Sequence, residues 1–281
     1  MIHGWGGSTR RQGKRAGGAG PGRVRTLLRA LRGRSAPVTY GLIGLCCVVF
    51  LLGPASGFNP GYGTGERLLA AQRAYYDHWG VIPARLLDGD PAAAITPATS
   101  LFIHGSWVHL LGNMLFLHVF GAMAEERMGH IEFGLFYLGC GCVAMFAYAV
   151  AHADSGQSLV GASGAISAVL GGFLHLFPRA RVTSVFPFLL FLPLRFPAWL
   201  VLPFWATLQW LAARQETRGP GVAYLAHVVG FSLGFLYAWA RFARTKGIHP
   251  AEAEAEGEAE GETEAGSAAG DGARSHVDER P

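Results

Sequence analysis

Leu159-Val160-Gly161-Ala162-Ser163-Gly164-Ala165-Ile166-Ser167-Ala168-Val169-Leu170-Gly171-Gly172 decides how the chain is read. It opens an apolar run that continues to Phe177, long enough to enter a membrane. A hydroxyl costs little in such a helix, because it bonds back to a carbonyl one turn earlier. A lone serine there would carry no information. The flanking glycines change this, since they let another backbone approach and leave room around the Ser163 Oγ. Two readings stand open on this stretch alone. One is a small-residue packing face made of Gly161, Gly164, Ala168 and Gly172. The other is a nucleophile.

Composition supports a membrane setting. Of 281 residues, 51% are hydrophobic and 15% charged, and the charge is concentrated at the two ends. Residues 1–36 are rich in Gly and Arg, with no acidic residue, and read as a basic, disordered cytoplasmic arm. Beside membrane segments such an arm sets topology or touches anionic lipid, so no nucleic-acid partner is expected. Residues 247–281 are Ala-Glu and Gly-Glu low complexity and read as an acidic, disordered cytoplasmic tail. Between them, residues 37–246 form the membrane domain. Cys46, Cys47, Cys140 and Cys142 lie in apolar runs without zinc-ligand companions and read as small buried hydrophobes.

Six spans are expected within that domain, making an all-α polytopic bundle. They run from Pro37 to Gly53, Trp107 to Ala124, Ile131 to Ala151, Leu159 to Phe177, Pro197 to Ala213, and Val222 to Phe242. Glu66 to Tyr76 has helical spacing and suits the interface, with Tyr75, Tyr76 and Trp79 at the headgroup level. Val182 to Leu194 is apolar but short and is broken by Pro187 and Pro193. It reads as interfacial or hairpin-like rather than spanning. Arg127, Arg179, Arg181 and the Arg241–Lys246 cluster fall on one side if both termini are cytoplasmic, with Arg214 and Arg218 as exceptions.

Polar residues inside lipid need partners, so each is a functional candidate until explained. His109 and Asn113, spaced i and i+4, share one helix face in the first turns of the second span. His227 lies in the first turns of the sixth span. With cytoplasmic termini, Ser163, His227, His109 and Asn113 fall in one layer, roughly 5–10 Å below the outer surface. Gly230 and Gly234 on the sixth span and Gly164 and Ala168 on the fourth form small-residue faces. Close approach of those helices would put His227 within reach of Ser163 as its general base. His109, Asn113 and the Ser163 N–H would then face a developing oxyanion. The alternative is that Ser163 and His227 satisfy each other as structural glue. No HExxH is present and no carboxylate joins the histidines at ligand spacing, so no metal or other cofactor is expected.

These residues resemble the rhomboid family of intramembrane serine proteases. The resemblance covers roughly Leu101 to Gly234. It rests on His109-Leu-Leu-Gly-Asn113 (HxxxN), Gly161-Ala-Ser163-Gly164 (GxSG) and Ala226-His227-Val-Val-Gly230 followed by Gly234 (AHxxGxxxG), in that order on separate spans. It implies Ser163 as nucleophile and His227 as base, a dyad without an acidic third member, and His109 and Asn113 in the oxyanion hole. Glu125 and Arg127 resemble the family's structural E-x-R, and His104 a commonly found structural His. Two positions depart from the pattern. Ala94-Ile95-Thr96-Pro97 stands where many members carry Trp-Arg, and Ser167 where some carry a Tyr that stacks on the catalytic His. The implied substrates are transmembrane segments of other proteins, with helix-weakening residues near the cut and a small residue at the cleaved position. Membrane lipids are the other implied partners. An inactive relative that binds client helices is the alternative. The Arg- and Ala-rich composition points to a GC-rich bacterial gene, and the expected location is the bacterial inner membrane.

Overall fold

The computed structural model describes residues 36–186, 192–215 and 222–242. Residues 1–35 of the basic arm, the acidic tail, Arg218, Arg244 and Lys246 lie outside the described residues.

The first apolar run folds as α1 (Pro37–Leu52). A proline begins it, where the missing N–H has no helical acceptor to lose. Short 3₁₀ turns lead to α2 (Gly65–Trp79), α3 (Pro83–Leu87) and α4 (Thr96–Thr99). In this connection the Arg85 Nη2 lies 2.7 Å from the Asp90 Oδ2, and its guanidinium holds that carboxyl below the usual carboxylate range. The expected span after Ser106 is α5, running from Trp107 to Met128 with a π-helical turn over Leu117–Gly121. Ser106 caps it, its Oγ accepting from the His109 N–H at 3.2 Å. One glycine, Gly129 at φ +88°, turns the chain into α6 (His130–Ala151). So tight a reversal demands the left-handed region that glycine enters freely.

The serine stretch differs from expectation in a way that matters. Its first residues are extended rather than helical. Leu159 pairs with Val81, its N–H donating to the Val81 carbonyl at 2.7 Å and its carbonyl accepting from Val81 at 2.9 Å. The Gly161 N–H donates to the Ser100 carbonyl at 2.9 Å. Helix α7 begins at Ser163 itself and ends at Leu176. Fourteen residues rise only about 21 Å, short of a bilayer's hydrocarbon core. Non-helical backbone at membrane depth is tolerated where protein buries it or a cavity borders it. Both hold here, because α7 is buried from Gly164 to Phe173 and its lead-in lines a cavity.

After α7, β1 (Arg181–Phe186) and β2 (Leu192–Pro197) pair antiparallel, Arg181 opposite Pro197. This is the hairpin anticipated for the apolar segment too short to span, and it interrupts an otherwise helical fold. Two more helices follow, α8 (Ala198–Ala213) and α9 (Tyr224–Phe242).

Helix α7 is the axis of the bundle, packed on α9, α6 and the π turn of α5. Lipid is as apolar as leucine, so close fit rather than hydrophobic burial must join membrane helices. The α7–α9 seam supplies that fit. A Cβ on Gly230 would collide with the Gly164 carbonyl, one on Gly234 with the Ala168 carbonyl, and one on Gly171 with the Phe231 carbonyl. The outside is apolar: Ile131 is 80% exposed and Leu135 69%, one turn apart on α6. Helices α5, α6 and α9 are long and apolar enough to cross a membrane, and α1, α7 and α8 are shorter apolar helices.

Candidate functional site

The α7–α9 seam brings the serine and histidine together. The His227 Nε2 lies 2.8 Å from the Ser163 Oγ. The approach is dictated by Gly230, three residues beyond the histidine, which puts α9 against the Gly164 carbonyl at the start of α7. Any larger residue at 230 would push the two helices apart and open the contact.

The site faces a cavity of about 480 Å³, bordered by His109, Asn113, Ser163, Ser167 and His227, with Gln209 and Trp205 reaching it from α8. His109 and Asn113 share a face of α5, as their spacing requires. The Asn113 side chain is buried, and its Nδ2 has no hydrogen-bond partner among the described residues. A buried amide donor in that condition beside a cavity is unusual, because leaving it unpaired is costly. Ser163 opens α7, so its backbone N–H belongs to the first turn and has no carbonyl four residues back in the helix. The Asn113 amide, the His109 ring and the head of α7 thus line the cavity that the serine hydroxyl borders.

Gly161 is not part of the helix-packing face. It precedes α7 at φ +130°, and a Cβ there would lie 2.7 Å from the His109 Cε1 and Nε2. Its backbone closes directly on the His109 ring, so glycine is needed twice over, for conformation and for space. Gly164, Gly230 and Gly234 lie in the seam. Gly164 is the least crowded of them, although a Cβ there would still press on that of Ala144 at 3.3 Å.

His104 lies beneath His109, the rings 5.1 Å apart and edge to face. It is buried and neither of its ring nitrogens has a partner among the described residues. Glu125 is at the far end of α5. Its carboxylate accepts from the Val38 N–H at 3.0 Å and the Thr39 N–H at 2.7 Å and lies 2.6 Å from the His130 Nδ1. It therefore caps α1 from across the bundle. Arg127 lies over the Phe242 ring at 5.5 Å. Among the described residues no three His, Cys, Asp or Glu side chains are placed to hold a metal.

Sequence reasoning missed what holds the histidine. Ser167 cannot stack on it; its Oγ donates to the Ser163 carbonyl at 2.6 Å instead. Helix α8 takes over that role. The Trp205 ring lies nearly parallel to the His227 ring, centroids 6.2 Å apart and 27° between planes. Gln209, one turn on, places its Oε1 2.8 Å from the His227 Nδ1. Tyr224 presents its ring at 87° from within α9. Gln209 is polar in an apolar helix and stands i+4 from Trp205, and that was the available signal.

Among the described residues, a helical bundle with an apolar exterior, three helices long enough to cross a membrane, and a buried polar layer opening on a cavity define a polytopic membrane protein. The Rhomboid domain family matches residues 92–244, more than half of the chain, and the chain belongs to that family. It is 35% identical over 147 residues to Rhomboid protein 1, mitochondrial, of Saccharomyces cerevisiae, covering 50% of this chain and 40% of that protein. It is 32% identical over 154 residues to RHOMBOID-like protein 4 of Arabidopsis thaliana, covering 51% of this chain and 33% of that protein. A shorter match, 38% over 68 residues, is to Rhomboid-like protein 11, chloroplastic, of the same plant, covering 24% of each chain. The chain spans less than half the length of these relatives.

Proposed function

We propose that the chain is an intramembrane serine protease that hydrolyses peptide bonds in or near transmembrane segments of other membrane proteins. The observation that carries this reading is the 2.8 Å contact between the Ser163 Oγ and the His227 Nε2 at the edge of a cavity. A purely structural pair would need neither the cavity nor the unpartnered donor of Asn113 beside it.

In this reading the Ser163 Oγ attacks the scissile carbonyl carbon as its proton passes to the His227 Nε2. The tetrahedral oxyanion is received by the Asn113 Nδ2, the His109 ring and the Ser163 N–H. Collapse returns the proton from His227 to the leaving amine and leaves an acyl-enzyme. A water then repeats the sequence, with His227 again as base, and frees Ser163. A substrate helix hides its carbonyls in its own hydrogen bonds, so a cut requires local unwinding into the cavity. Helix-weakening residues near the cut and a small residue at the cleaved position suit that requirement.

The wider arrangement follows the same reading. Six spans, α1 and α5 to α9, form the membrane domain over residues 37–246. Both termini are cytoplasmic, with a basic arm at 1–36 and an acidic tail at 247–281, and the compartment is a bacterial inner membrane. The test is reconstitution in liposomes with a model transmembrane substrate. Ser163→Ala is expected to lower cleavage by about 10⁴-fold or more. Labelling by a fluorophosphonate is expected to disappear in both Ser163→Ala and His227→Ala. Cleavage that persists in Ser163→Ala overturns the assignment. A wild-type protein that is neither labelled nor active, yet captures transmembrane helices, is the inactive client-binding relative instead.

A further inference from the structure

The Ser163–His227 contact by itself leaves one question open. A neutral imidazole carries one proton, on Nδ1 or on Nε2. With the proton on Nε2, His227 would donate to Ser163 and could not accept its proton. General-base chemistry needs the other tautomer, and something must select it. In hydrolases with an acidic third member a carboxylate on the far ring nitrogen does this. Here the group opposite the Nδ1 is the Gln209 Oε1, at 2.8 Å. A carbonyl-type oxygen only accepts, so the Nδ1 must be the donor, and the Nε2 lone pair is left facing the Ser163 hydroxyl at 2.8 Å.

Resting on the protease reading, we propose that Gln209 is the positioning residue of the site: its side-chain oxygen holds the His227 proton on Nδ1 and orients the ring toward Ser163. Gln209 and Trp205 stand one turn apart on the same face of α8. One fixes the ring's edge and the other its plane. At this half-buried position the amide oxygen accepts without bringing a charge to be desolvated. Helix α8 contributes no group to the reacting atoms, yet the site is incomplete without it. Any motion that draws α8 from α9 removes the acceptor and the stacked ring together, so cleavage competence depends on α8 being seated.

The experiment compares full-length wild type with Gln209→Leu, which keeps bulk and loses the acceptor, and Gln209→Glu, which keeps it. Two readouts are taken in detergent and in liposomes. One is the rate of fluorophosphonate labelling of Ser163, which requires no substrate helix. The other is kcat and KM for a model transmembrane substrate. Gln209→Leu is expected to lower labelling rate and kcat in parallel by about 10-fold or more, with KM within about twofold. Gln209→Glu is expected to recover most of both. Should Gln209→Leu fail to fold, Gln209→Met, unbranched and of similar length, carries the same expectation. A folded Leu or Met variant that labels at the wild-type rate overturns the proposal, as does a loss confined to KM. A Glu variant no faster than Leu also overturns it. If wild type itself neither labels nor cleaves, the protease reading fails instead, and the two failures are distinct.

Discussion

The two ends of α5 use polar groups in opposite ways. At its far end the Glu125 carboxylate is fully buried and fully occupied, accepting from Val38 and Thr39 and lying against His130. Both oxygens of that carboxylate are engaged among the described residues. At its first turns, Asn113 is also buried, but its Nδ2 has no partner among the described residues, and the space beside it is open. Both ends sit in one helix and one apolar surrounding. The Glu125 carboxylate joins two helices, whereas Asn113 borders the cavity; in the protease reading its amide is the group that receives the substrate's oxyanion.

Mutation should split the two ends cleanly. The largest effect is expected from Asn113→Ala, which is predicted to lower kcat by about 100-fold or more, equivalent to about 3 kcal/mol of transition-state stabilisation, with Tm within about 2 °C. Cleavage kinetics and a thermal melt on one preparation check both halves. A large fall in Tm would move Asn113 into the structural class. Glu125→Ala is predicted to do the reverse. Two backbone N–H groups of α1 lose their acceptor, at about 1–3 kcal/mol for an unsatisfied buried group, while kcat of the folded fraction stays within about twofold. Denaturant unfolding in detergent micelles reads the first, and active-site titration the second. The smallest effect is expected of Ser106→Ala, which removes the cap of α5 beside His109. Here about 1 kcal/mol of stability is lost, and a modest fall in kcat shows that the first turn of α5 must be held for His109 to face the cavity. A silent Ser106→Ala would mean that the Gly161–His109 closure alone positions the ring.

Much of this was legible in the residues. The small-residue faces of α7 and α9 follow from the spacing of Gly164, Ala168, Gly230 and Gly234, because three- and four-residue steps put side chains on one face. Asn113 and His109 on one face of α5 follow from the same periodicity. The proline-broken stretch after Arg181 was too short to span and turned back as a hairpin. Other features were hidden. Gly161 looked like one more small packing residue, but it lies outside the helix, in a left-handed backbone closed on His109. The serine stretch looked helical from Leu159, because periodicity and apolarity cannot show where in an apolar segment the helix begins. Its pairing with Val81, 78 residues back, is a contact that no local pattern announces. Glu125 capping α1 is another such contact, 86 or more residues apart.

The amino-acid sequence by itself determined that this is a membrane-embedded helical chain of the rhomboid kind, with its polar residues gathered near one end of three helices. Those properties follow from periodicity, apolarity and short motifs, all of which act within a few turns of chain. Tertiary structure alone decided that α7 starts at the serine, that the Asn113 amide is left unfilled, and that α8 supplies Gln209 and Trp205 to the His227 ring. Each of these depends on where one helix ends relative to another. That relation is settled by packing between segments distant along the chain, which a local pattern does not encode.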